Sequence, residues 1–115
     1  METGNYSDFE KFIHSLSDVE IRQIIYDVLL ALDYAHSKGI MHRDIKPGNI
    51  MINSKTKQVT IIDWGNADYY EAGKEFSLSV GTTYFKSPEL ISNLKRYDYS
   101  LDVWSLGCIH ALLLF

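Results

Sequence analysis

The chain has 115 residues, enough for one small domain or a part of a larger one. With 46% hydrophobic and 23% charged residues it has an ordinary globular balance, which excludes a disordered chain. A formal charge of −4 argues against nucleic acid or an anionic membrane as partner, and a single cysteine, Cys108, excludes an internal disulfide.

The lone cysteine also argues against a Cys-based zinc site and implies a reducing compartment, cytoplasmic or nuclear. The stretch Met1-Glu2-Thr3-Gly4-Asn5 has neither the basic region nor the apolar run of a secretory signal. The most apolar stretch, 106–115, is too short to span a bilayer. No internal repeat or low-complexity linker interrupts the chain.

In chain order, Ser7-Asp8-Phe9-Glu10 reads as a capping box, and Phe9, Phe12, Ile13 and Leu16 follow at helical spacing, predicting a short helix. Ser17-Asp18-Val19-Glu20 is a second capping box. Ile21, Ile24, Ile25, Val28, Leu32 and Ala35 then form one apolar stripe, and Gly39 supplies a stop, so a long helix is predicted over about 18–37. A very short strand at Ile40-Met41 precedes two apolar runs, 50–52 and 59–62, joined by polar, turn-like residues. This is a β-hairpin pattern. From 64 to about 99 periodicity lapses into one long loop, with a short helix near 89–94. Loops longer than about 15 residues in a compact domain are uncommon and are usually functional or disordered. Periodicity returns at Ser100 and Asp102, followed by Val103, Leu106, Ile109, Leu112 and Leu113. This predicts a helix that the chain's last residue, Phe115, leaves uncapped, as in a truncated sequence.

The chemistry gathers around the hairpin. With its turn centred on Thr56, Asn49 and Asp63 are equidistant from the turn and are expected to face each other at the open end. Two hard oxygen donors meeting there suit Mg²⁺, which takes few protein ligands and completes its shell with phosphates and water. Asp44 lies on the loop entering the hairpin, where a carboxylate can accept a proton from an attacking hydroxyl. The ammonium of Lys46 can steady a transferring phosphoryl group. A base, a lysine and two magnesium ligands make a phosphoryl-transfer site.

Here the sequence resembles a known family. His42-Arg43-Asp44-Ile45-Lys46-Pro47-Gly48-Asn49 is similar to the protein-kinase catalytic loop, and Asp63-Trp64-Gly65 stands where most kinases have Asp-Phe-Gly. Gly81-Thr82 and Ser87-Pro88-Glu89 resemble the end of an activation segment, with Ser87 in place of the usual Ala. Asp102-Val103-Trp104-Ser105-Leu106-Gly107 resembles the helix whose Asp anchors the catalytic loop. Four motifs in kinase order cover nearly the whole chain. With Tyr84-Phe85-Lys86 and the 97–102 run they narrow the resemblance to the catalytic alpha subunits of casein kinase II.

The resemblance implies a fold that is mainly α with small β-hairpins, the partial C-terminal lobe of a protein-kinase-like α+β fold over 1–115. It implies an ATP- and Mg²⁺-dependent serine/threonine kinase acting on acidic protein substrates, with the casein kinase II regulatory beta subunit as a possible partner. Asp44 is then the catalytic base and Lys46 the phosphate contact. Asn49 and Asp63 bind Mg²⁺, Met51 and Ile62 line the adenine pocket, and Thr82 hydrogen-bonds toward Asp44 and Lys46. Glu89 braces the segment through an Arg beyond the chain's end. His42 reads as a neutral, packed imidazole and Cys108 as core. Arg43 suits a phosphorylated residue of the long loop, yet the resemblance implies a loop held active without phosphorylation, so regulation at Ser77, Ser79, Thr82 or Thr83 is the lesser reading.

Three departures matter. The chain has no glycine-rich phosphate loop, no lysine strand and no helix bearing that lysine's Glu partner, so the 115 residues alone are expected not to bind Mg²⁺–ATP. Ser79 and Thr83 stand where the family carries Arg. Of the substrate-contacting positions Ser79, Thr83 and Lys86, only Lys86 keeps a cation, which weakens the expected preference for acidic substrates. Gly48 and Asn66 also replace the family's usual residues. The competing reading is an inactive kinase remnant serving as an interaction module, and a metal-dependent hydrolase built on Asp44 and Asp63 is a third.

Overall fold

A computed structural model of the chain describes residues 6–12 and 14–114. Strand β1 (Tyr6–Asp8) leads into a 3-10 turn (Phe9–Phe12), followed by helix α1 (Asp18–Ser37) and strand β2 (Ile40–Met41). Strands β3 (Ile50–Asn53) and β4 (Val59–Ile61) form the hairpin, and β5 (Asp68–Tyr69) lies just beyond it. Helix α2 (Pro88–Ile91) is a single turn, and α3 (Ser100–Leu114) closes the described chain. No described helix is long and apolar enough to cross a membrane.

Helix α1 forms where its local signals put it. Ser17 Oγ accepts the Glu20 N–H at 3.2 Å while Glu20 Oε1 accepts the Ser17 N–H at 3.1 Å, the reciprocal bonds of a capping box. At the other end Gly39 adopts φ +78°, a left-handed conformation that glycine takes without steric cost, and the Lys38 N–H bonds back to Tyr34 and Ala35 carbonyls. The predicted stripe is buried from Ile21 to Ala35. It packs with Phe9, Ile45, Ile50, Ile52, Ile61, Leu106 and Ile109 into the main core.

The cap makes two measurable predictions. Ser17→Ala is expected to lower the stability of the chain by about 1 kcal/mol in urea unfolding. The Ser17 backbone N–H, and then its hydroxyl, hold the Glu20 carboxyl below the usual carboxylate value. A carboxylate whose folded value is depressed contributes stability above its unfolded value and loses it as pH falls through the folded one. Acid titration of stability is therefore expected to lose this contribution as pH falls through the depressed Glu20 value, and Glu20→Gln, which removes the titrating group, should flatten that part of the curve.

The predicted hairpin is present, but its register differs from expectation by one residue. Ile50 pairs with Ile61, Met51 with Thr60 and Ile52 with Val59. The turn is centred between Lys55 and Thr56, because the Asn53 side chain accepts the N–H groups of both and Lys57 turns back at φ +62°. Asn49 therefore pairs with Ile62, whose N–H bonds to the Asn49 carbonyl at 2.9 Å, and Asp63 falls one residue beyond. Because strand side chains alternate, Met51 and Ile62 share one face of the hairpin, opposite the buried Ile50, Ile52 and Ile61.

Two further expectations are corrected. The first short helix is absent: Ser7 and Asp8 lie in β1, which pairs antiparallel with β3, and only a 3-10 turn follows. Edge pairing to the hairpin overrides the local capping signal. Ile13, from the same predicted stripe, lies outside the described residues, as do Met1–Asn5 and Phe115. The long loop, in turn, is less open than its lack of periodicity suggests. β5 pairs with β2, and Phe76, Val80, Leu90, Tyr97 and Leu101 join Met41 in a second core.

Candidate active site

Asp102, at the start of α3, is the hub on which the candidate site hangs. It is 1% exposed, and its Oδ2 accepts the His42 N–H at 2.8 Å while Oδ1 accepts the Arg43 N–H at 2.9 Å. These bonds hold Arg43 at φ +70°, a left-handed conformation that a long side chain avoids unless its surroundings impose it. The anchoring of the loop by this Asp, expected from the resemblance, thus has its geometry in place. The sequence assigns no role to His36, whose Nε2 lies 2.8 Å from Asp102 Oδ2 with its ring stacked on Tyr99. No local pattern points to it, because its partner is 66 residues away.

His42 is fully buried, and it links the loop to the hairpin. Its Nδ1 accepts the Asp44 N–H at 3.1 Å, and its Nε2 lies 2.8 Å from the Ile62 carbonyl. A carbonyl can only accept, so Nε2 carries the proton. The ring edge packs on Trp64 at 4.5 Å, and the Trp64 indole N–H donates to the Ile61 carbonyl at 3.0 Å. One imidazole therefore fixes the backbone on both sides of the cleft floor.

Asp44 is buried, at 9% exposure. Thr82 donates its hydroxyl to Oδ1 at 3.1 Å, and the Asn49 amide nitrogen donates to Oδ2 at 3.2 Å and to the Asp44 carbonyl at 2.8 Å. No Lys, Arg or His nitrogen pairs with it among the described residues. Lys46 is half-buried in extended backbone just before the 3-10 turn Pro47–Asn49, and no described bond ties its ammonium. Of the two expected Thr82 contacts, the one to Asp44 is made and the one to Lys46 is not.

Asn49 uses its amide nitrogen on Asp44, and its Oδ1 receives no donor among the described residues. Asp63 is exposed, in the left-handed conformation at φ 59° that Asp tolerates. A Cβ on Gly65 would lie 3.3 Å from Asp63 Oδ1, so the glycine leaves that carboxylate room. Among the described residues no three His, Cys, Asp or Glu side chains gather as a metal cage. One free amide oxygen and one exposed carboxylate match instead the sparse protein ligation that Mg²⁺ accepts.

The segment from Ser77 to Lys86 runs beside this floor. Gly81, at φ +80°, passes so close that a Cβ there would meet the Arg43 carbonyl at 3.3 Å, and both conformation and contact call for glycine. Ser79 and Thr83 are exposed, and Lys86 is half-buried with its stem against Gly81. The Arg43 guanidinium has no carboxylate partner among the described residues. Its Nε donates to the Asn66 carbonyl at 2.6 Å and its Nη1 to the Tyr97 hydroxyl at 3.2 Å. Sequence reading singles out neither residue as a partner of Arg43.

Ser87 is 1% exposed and its hydroxyl has no partner among the described residues. A buried, unpaired hydroxyl is destabilising, so Ser87→Ala is expected to raise stability by about 1 kcal/mol, read as a shift of the denaturation midpoint. Glu89 Oε1 is likewise without a described partner. It borders an apolar groove of about 870 Å³ lined by Pro88, Leu94, Val103, Trp104 and Cys108, which contains none of the catalytic-loop residues. Cys108 is therefore a half-buried groove residue and not part of the core.

A family model of the protein kinase domain matches residues 1–115. The chain belongs to the protein kinase family, whose members are phosphotransferases that use ATP and Mg²⁺.

Proposed function

We propose that the chain forms the catalytic floor of a serine/threonine protein kinase of the casein kinase II alpha kind. The single observation that supports this most is the Asp44 carboxylate, buried, unpaired by any described cation and aimed by Thr82 and Asn49. So held, it is an acceptor for the proton of an incoming Ser or Thr hydroxyl. As that oxygen bonds to the γ-phosphorus, the bond to the bridging oxygen breaks and ADP leaves with its electron pair, while the proton goes to Asp44. Lys46 balances charge on the moving phosphoryl group.

Asn49 and Asp63 are the residues that would hold Mg²⁺, which when bound neutralises phosphate charge. Met51 and Ile62, on one hairpin face, would floor the adenine pocket. Lys86 would meet acidic substrate side chains, with Ser79 and Thr83 adding no charge beside it. A regulatory beta subunit and a cytoplasmic or nuclear location belong to the same proposal.

A second reading, an inactive module that binds other proteins, is favoured by exposed apolar side chains. They include Tyr26, Leu30 and Tyr34 on α1, and Trp104 and Leu112 on α3.

The test is transfer from γ-labelled ATP–Mg²⁺ to peptides offering Ser, Thr or Tyr. It is run with the 115 residues alone and with the chain fused to the glycine-rich lobe of a casein kinase II alpha protein. Alone, the chain is expected to show no detectable Mg²⁺–ATP affinity, and saturable micromolar binding would contradict this. Fused, it is expected to label Ser and Thr. Label on Tyr would overturn the proposed specificity, and no label at all would leave the interaction module.

A further inference from the structure

Tyr97 is 5% exposed and its ring packs on Phe76 at 5.4 Å. A buried tyrosine hydroxyl normally finds a partner. This one has two: it accepts from Arg43 Nη1 at 3.2 Å and donates to the Ser77 carbonyl. Arg43 is itself immobilised, through its N–H on Asp102 and its Nε on Asn66. The bond at Ser77 is thus referred back, through one phenol, to the residue next to Asp44.

Five residues later the same stretch is tied again, by Thr82 to Asp44. Between the ties, the Ser79 N–H bonds to Ser77 Oγ at 3.1 Å, Val80 is buried and Gly81 turns back along the Arg43 carbonyl. Of the residues expected to meet substrate, Ser79 is carried by a span pinned to residues 43 and 44 at both ends, and Thr83 follows directly on its second tie.

We propose that the Tyr97 hydroxyl is a positioning group for the 77–82 segment, coupling it to the catalytic loop through Arg43. A neutral phenol and one carbonyl, that of Asn66, thus occupy the Arg43 guanidinium. This deepens the kinase reading, but the test needs neither nucleotide nor turnover, so either can fail without the other.

Tyr97→Phe keeps the ring and its packing and removes only the hydroxyl. Hydrogen–deuterium exchange of the 115-residue chain is expected to quicken about tenfold over 77–82, with α1 and α3 unchanged. Arg43→Met is expected to quicken the same amides, and Tyr97→Phe on top of it to add little, since both break one relay. Unchanged exchange in Tyr97→Phe would overturn the proposal. So would quickening spread evenly over α1 and α3, or full additivity of the two substitutions.

Discussion

Asp44→Asn is expected to lower the rate of phosphoryl transfer by about 10²- to 10⁴-fold while leaving the fold in place. The substitution is nearly isosteric, and the 2.8 Å bond from the Asn49 amide to the residue 44 carbonyl does not depend on the side chain. What changes is chemical: an amide cannot take the proton of an incoming hydroxyl, and its NH₂ would face a group that now donates to a carboxylate oxygen, Thr82 or Asn49. The lost bond should cost no more than about 1.5 kcal/mol, because no described cation is left without its partner. The measurement is kcat on a peptide substrate with the fused protein, alongside urea unfolding of both variants. A variant with a tenth or more of the parent rate would remove Asp44 from the role of base.

Asp102→Ala is expected to be the most damaging substitution for stability, at about 3–5 kcal/mol. The side chain is 1% exposed and serves two backbone N–H groups and His36 at once. Truncation leaves those donors buried without an acceptor, and Arg43 loses the bond that holds it at positive φ. Asp102→Asn should recover part of the loss, since one oxygen remains while an NH₂ confronts a donor. Chemical denaturation resolves this easily, because a small domain holds only about 5–15 kcal/mol in total. A midpoint close to that of the parent would mean that α3 and the loop are held by apolar packing alone.

The parts legible in the sequence are those whose causes are local. Helix α1 runs over 18–37 as expected, because a cap, a stripe and a glycine all lie within its own span. The hairpin is legible as two apolar runs about a polar turn, but its register is set by the Asn53 side chain and the positive φ of Lys57. Spacing about an assumed turn centre missed that by one residue. Strands β1 and β5 are invisible locally because each exists only by pairing with a distant partner.

The same contrast holds in the site. Asn49 and Asp63 can be related by their spacing about the turn, while the roles of Asp44 and Asp102 come with the resemblance of their motifs. His36, Asn66 and Tyr97 make their contacts across 66, 23 and 54 residues, and no local pattern names those partners.

The catalytic loop meets its anchor across 60 residues of chain, from His42 to Asp102. Closing so long a loop is entropically costly, and contacts of this separation form late relative to helices and hairpins. Helix α1 and the β3–β4 hairpin can form on their own schedule, but the peptide groups of residues 42 and 43 gain their acceptor only when α3 docks. During synthesis the floor therefore cannot assemble before residue 102 has emerged. A partly folded chain would carry Asp44 on an unanchored loop, so readiness for chemistry and completion of the fold arrive together.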